Sequence, residues 1–242
     1  GNHTYTIREK NEGAAGYTYD SKTFEVTVDV TDNGQGQLVA TPTYAAPAEF
    51  SNSYQAAATS LVLKTSKKLT GATLAADQFT FELVDKDGKV VGTAKNKADG
   101  TVEFPALSYD AAGNHTYTIR EVKDQKPGYT YDDKTLEVTV AVSDNGQGQL
   151  VANATYSSEE GFTNTYKAAP TSLVVKASKK LAGATLAADQ FTFELVDKAT
   201  GQVVGTAKNK ADGSVEFPAL NYDEAGNHTY TIREKNEGAA GY

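Results

Sequence analysis

The feature that most constrains this chain is that it repeats itself. The string GNHTYTIRE begins at Gly1, at Gly113 and at Gly226, so successive copies are offset by 112 and then 113 residues. Self-similarity at a fixed period is the signature of an array. The extra residue falls where Asp87-Gly88-Lys89 becomes Ala199-Thr200-Gly201-Gln202. A length change with unchanged flanks is what a surface turn tolerates. Residues 1–17 and 226–242 are identical, both reading GNHTYTIREKNEGAAGY. The expected organisation is a window on a longer array. Residues 1–54 are the C-terminal part of one repeat, 55–167 a complete repeat, and 168–242 the N-terminal part of the next. The junctions, Tyr54 to Ser60 and Tyr166 to Ser172, are short, and Pro170 stiffens the second. Neighbouring repeats are therefore expected to sit end to end in an elongated array.

Within the complete repeat the apolar residues alternate. Phe79, Phe81 and Leu83 share a face, as do Leu136, Val138, Val140 and Val142. Turn signals separate such runs: Asp85-Lys86-Asp87-Gly88, Lys97-Ala98-Asp99-Gly100, Pro127-Gly128 and Asp144-Asn145-Gly146. No helical period persists over three turns. About seven to nine short strands with turns at roughly ten-residue spacing predict an all-β immunoglobulin-like sandwich, with a small barrel as the alternative.

Composition removes several function classes. There is no Cys, Met or Trp, so disulfides, thiol catalysis and cysteine metal sites are excluded. A formal net charge of −8 argues against nucleic acid as a partner. No apolar run is long enough to insert in a membrane as a helix. His3, His115 and His228 are one repeated position, so they do not predict a metal cluster. Asp144-Asn145-Gly146-Gln147-Gly148 lacks the following acidic ligand of a calcium loop and reads as a hairpin. No cofactor is expected.

Three polar residues break the apolar faces. In Leu61 to Leu69 the inward positions are Leu61, Leu63, Thr65, Lys67 and Leu69. Glu121 follows Tyr117 and Ile119 on an inward face, and Asn164 sits between Phe162 and Tyr166. Glu82, Glu103 and Glu137 fall on the opposite faces of their strands. The partial repeats carry Glu9 and Asn52 on one side, and Lys179 and Glu234 on the other. Burial disfavours the ammonium form, and a neutral lysine amine is a nucleophile. A buried carboxyl holds its proton to higher pH. Glu121 is thus expected to polarise the Asn164 carbonyl and to shuttle protons as ammonia leaves. The product is an amide bond from Lys67 Nζ to Asn164 Cγ, made once per repeat. The plainer alternatives are a buried Lys67–Glu121 ion pair beside a hydrogen-bonded Asn164, or a lysine that snorkels to the rim. A register slip of one residue would substitute Lys68.

At these residues the sequence resembles the isopeptide-linkage domain of streptococcal-type Gram-positive pilins and, more distantly, the B-type repeats of collagen adhesins. The motifs that carry the resemblance are SKKLTG (Ser66 to Gly71), FTFELVD (Phe79 to Asp85), YTIRE (Tyr117 to Glu121), GYTYD (Gly128 to Asp132) and FTNTY (Phe162 to Tyr166). They span essentially the whole repeat. The resemblance implies that Lys67 and Asn164 form the bond with Glu121 assisting, on first and last strands that lie side by side. It also implies an extracellular, cell-wall-attached stalk or pilus-like filament that contacts adjacent repeats. No LPxTG-type sorting signal or obvious pilin-motif lysine occurs, so the expected setting is the stalk of a large adhesin with anchor and head outside this window. Two other readings stand beside it: an adhesive module using its tyrosines against a host or cell-surface ligand, and a fibre subunit completed head-to-tail by a neighbouring chain. A multiple-turnover enzyme is not expected, because nothing places two carboxylates across a cleft.

Overall fold

The protein is described here by a computed structural model covering residues 1–238. The second copy of the duplicated segment, 226–242, therefore ends outside the described residues. Described secondary structure consists of strands alone. Two compact units are present, Gly1–Thr165 and Tyr166–Tyr242. The first takes in residues 1–54 and all but the last two of residues 55–167.

The complete repeat is a two-sheet sandwich. One sheet has five strands in the order Leu150–Tyr156, Thr135–Asp144, Gly113–Glu121, Thr80–Asp85 and Val90–Lys95, all antiparallel. The other has four, in the order Thr101–Glu103, Lys64–Thr70, Phe162–Tyr166 and Tyr129–Thr130. Thr59–Leu61 pairs separately with Leu107–Tyr109. The side-chain alternation explains the packing. Leu136, Val138, Val140 and Val142 are buried while Thr135, Glu137, Thr139 and Ala141 are exposed, so one face of that strand is removed from water. Phe81, Leu83 and Ile119 from the five-stranded sheet meet Phe162, Val102 and Leu63 from the other side in a single core.

Eleven strands run from Thr59 to Tyr166, more than the alternation alone predicts. The inward-facing run from Leu61 to Leu69 is interrupted at Val62 and Leu63, and its opposite partner is interrupted at Phe104, Pro105 and Ala106. Pro105 has no N–H to donate to a ladder, so pairing stops there and resumes with a one-residue offset, Leu61 facing Leu107 and Lys64 facing Glu103. Val84, which the alternation of Phe79, Phe81 and Leu83 would turn outward, is also buried, beside the register shift between Leu83 and Val84.

The opening partial repeat has a three-stranded sheet, Asn2–Arg8, Thr23–Asp32 and Leu38–Tyr44, and a short pair of Tyr17–Thr18 with Ser53–Tyr54. Its contact with the complete repeat is specific. The Tyr54 hydroxyl donates to the Asp144 carboxylate at 2.8–2.9 Å, and Gly148 N donates to the Tyr54 hydroxyl at 3.3 Å. The connecting chain is held on both sides, Gln55 N donating to Gly16 O and Ala57 N to Gly148 O, each at 2.8 Å. A Cβ on Gly148 would come within 2.5 Å of the Ala15 carbonyl carbon, and its φ is +78°. Glycine is required there by both the close approach and the backbone conformation. The hairpin expected at Asp144-Asn145-Gly146 thus forms and also caps the preceding repeat.

The second unit repeats the N-terminal half of the same plan. It has a three-stranded sheet, Val203–Lys208, Thr192–Asp197 and Tyr230–Glu234, with Phe193, Leu195, Val215 and Phe217 as its core.

Candidate cross-linking site

The site lies between the sheets of the complete repeat, on three strands distant in sequence. Lys64–Thr70 and Phe162–Tyr166 run parallel, with Phe162 opposite Lys67 and Asn164 opposite Leu69. Lys67 and Asn164 therefore project from the same face of adjacent strands, one diagonal step apart. Glu121 ends the Gly113–Glu121 strand of the facing sheet, paired with Phe81. The register question is settled by burial: Lys67 is 4% exposed whereas Lys68 is exposed. Glu121 is 6% and Asn164 0% exposed.

The three side chains form one relay. Lys67 Nζ donates to Glu121 Oε2 at 2.9 Å and lies 2.8 Å from Oε1. Asn164 Nδ2 donates to Glu121 Oε1 at 2.8 Å. Phe79 covers the ammonium, with Nζ 4.6 Å from its ring centroid, and Phe81 lies at 5.9 Å. Burial pushes the Lys67 amine below its usual range and is opposed by the Glu121 carboxylate. Burial likewise pushes the Glu121 carboxyl up, opposed by Lys67 and by the Asn164 amide. Burial thus disfavours the charged form of each group, and the partner's charge opposes it.

One detail differs from expectation. Glu121 faces the Asn164 amide nitrogen rather than its carbonyl. The carbonyl, Oδ1, accepts instead from the backbone N–H of Asp132 at 2.9 Å. The reason is complementarity: an N–H can face only the acceptor end of the amide, and a carboxylate only the donor end. Asp132 belongs to the GYTYD segment. Its contact with Asn164 comes from the main chain, so the side-chain type at 132 does not by itself announce it.

The partial repeats show what each strand contributes. In the opening one, Asn52 Nδ2 donates to Glu9 Oε1 at 2.6 Å and Asn52 Oδ1 accepts from Asp20 N at 2.9 Å. Glu9 Oε2 is buried without a hydrogen-bond partner. In the second unit Lys179 Nζ reaches Glu234 at 2.8–3.0 Å and Phe191 at 4.1 Å. That pair has side-chain exposures of 19% and 40%, against 0% for both Lys67 and Glu121.

Other acids expected outside the core stay there. Glu82 pairs with Arg120, and Glu103 bridges Lys64 and Lys97. Among the described residues no group of His, Asp and Glu is arranged to hold a metal ion, and no helix is long and apolar enough to cross a membrane.

Comparison with known proteins gives one family match, FctA, the Spy0128-like isopeptide containing domain, over residues 1–55, 63–167 and 175–242. No curated protein matches. Among solved structures, the major pilin protein (T-13) from Streptococcus pyogenes is 19% identical, with a TM-score of 0.34, covering 77% of this chain and 85% of that one. A second structure of the major pilin from Streptococcus pyogenes is 18% identical, with a TM-score of 0.31, covering 74% and 75%. The Bacillus anthracis TIE protein is 16% identical, with a TM-score of 0.31, covering 93% of this chain and 38% of that one.

Proposed function

Because the chain belongs to the FctA family of Spy0128-like isopeptide containing domains, we propose that it is a structural segment of an extracellular fibre, a pilus-like filament or adhesin stalk, whose repeats lock themselves with a Lys–Asn amide bond. The observation that carries this reading is the parallel adjacency of the Lys67 and Asn164 strands over a shared Glu121. The partners are adjacent repeats and neighbouring subunits. Setting the bond between the first and last long strands of the four-stranded sheet places it in the path of a load applied through the two ends of the repeat. The ladder hydrogen bonds of the enclosed residues are then shielded. The test is mechanical. Stretching the full chain from its ends should release none of the segment between Lys67 and Asn164, withholding roughly 300–350 Å of contour at about 3.3–3.6 Å per residue. Release of that length would overturn the proposal.

The reaction should also have a bell-shaped pH profile. It needs one proton shared by the Lys67–Glu121 pair, leaving the amine neutral and the acid loaded. As pH falls, both groups become protonated and the nucleophile is lost. As pH rises, the shared proton is lost and the leaving nitrogen cannot be protonated. Glu121 is shifted up and Lys67 down. The window should therefore be narrower than the span between ordinary values of about 4.3 and about 10.4. Rates of ammonia release from newly synthesised chain across pH check this; a rate that climbs steadily to pH 11 or so contradicts it.

A further inference from the structure

We propose that the backbone N–H of Asp132 is the oxyanion donor for this cross-linking reaction, and that the Asp132 carboxylate is the latch that aims it. This rests on the reading above and adds a group that the Lys–Glu–Asn relay leaves out.

The geometry carries the argument. Asp132 N lies 2.9 Å from Asn164 Oδ1, the atom on which negative charge develops when an amine adds to Cγ. A donor already in place in a site screened from water stabilises that charge without reorganising. The latch is built from the same residue. Asp132 Oδ2 accepts from the backbone N–H of Thr163 at 2.9 Å, one residue before Asn164, while Oδ1 accepts from Lys134 N at 3.1 Å. The Asp132 side chain thus ties its own N–H to the asparagine strand. The opening repeat builds the same arrangement from different flanking residues. Asp20 N donates to Asn52 Oδ1, Ser51 N to Asp20 Oδ2 and Lys22 N to Asp20 Oδ1, each at 2.9 Å.

The steps balance as follows. Lys67 passes a proton to Glu121, and the neutral Nζ adds to Asn164 Cγ. The carbonyl electron pair moves onto Oδ1, where the Asp132 N–H receives it. Glu121 gives its proton to Nδ2 and then takes one from the now cationic Nζ. The carbonyl re-forms, the Cγ–Nδ2 bond breaks and ammonia leaves. Lys67 and Asn164 are then joined by a secondary amide, and Glu121 is left protonated.

The test replaces one backbone N–H by an ester oxygen. The full chain is made by cell-free translation with the α-hydroxy analogue of aspartate at position 132, and, as a control, with the hydroxy analogue of leucine at 150. Leu150 N also donates one backbone hydrogen bond, to Ala57 O at 2.9 Å, but in the five-stranded sheet. Intact mass at timed intervals reads the loss of ammonia. The ester at 132 should slow the loss about a hundredfold, the scale for removing one oxyanion donor, while the ester at 150 stays close to the unmodified chain. Equal rates for the two esters overturn the proposal. If the ester at 132 does not fold, Asp132→Ala and Asp132→Asn decide the matter. Alanine keeps the N–H but releases it from Thr163 and should slow the reaction about tenfold or more, and asparagine, which retains an acceptor for Thr163, should restore most of the rate. A wild-type rate in Asp132→Ala overturns the latch. Wild-type chain that never loses ammonia would instead sink the self-cross-linking function itself.

Discussion

Replacing Glu121 by alanine should leave the full chain at the mass its own sequence gives, whereas the wild type falls one ammonia below its own, because the variant no longer forms the cross-link. Without the carboxylate, Lys67 has no acceptor for its proton and Nδ2 has no donor. Each lost proton transfer is worth about a hundredfold or more, and the reaction requires both. The variant also buries an amine with no counter-charge, a change of about 3–5 kcal/mol for breaking a buried pair. Glu121→Gln separates the two effects, since it fills the same space, accepts a hydrogen bond and cannot shuttle protons. Intact mass and fragment mapping of the Lys67 and Asn164 peptides read the outcome. A Glu121→Gln chain that loses ammonia at the wild-type rate would remove Glu121 from the chemistry.

Asn164→Ala should isolate the stability that the bond itself contributes. It leaves the Lys67–Glu121 pair in place but prevents closure of a loop of about a hundred residues, a constraint worth roughly 4–5 kcal/mol through the entropy of the unfolded chain. At about 4–8 °C per kcal/mol for a domain of this size, the complete repeat should melt roughly 20–30 °C lower. Calorimetry of the full chain, with hydrogen exchange to assign the transition to the complete repeat, checks the figure. A drop of less than about 5 °C would mean that the bond contributes little to resistance. Trypsin digestion should show the same ordering, with the wild type cut last.

Much of this site is legible in the strand pattern. Period two in Leu61 to Leu69 puts Lys67 inward and Lys68 outward, and the burial of the two residues agrees. The same bookkeeping places Glu121 and Asn164 inside and leaves Glu82 and Glu103 at the surface. It misses the break at Val62 and Leu63, which arises because the partner strand meets Pro105 and stops pairing. It also misses the role of Tyr54, whose hydroxyl finds Asp144 ninety residues away in sequence.

The sequence by itself determined most of the side chains that face the core, because alternation is a local consequence of the extended backbone, and it failed at Val84, where a register shift intervenes. The tertiary structure alone decided two further things. It set the Lys64–Thr70 strand parallel to Phe162–Tyr166, a pairing selected by the whole core and invisible to either segment. It also turned the Asn164 amide so that its nitrogen meets Glu121 and its oxygen meets the Asp132 N–H. That orientation depends on a main-chain donor, which every residue except proline possesses, so only its position in space gives it meaning.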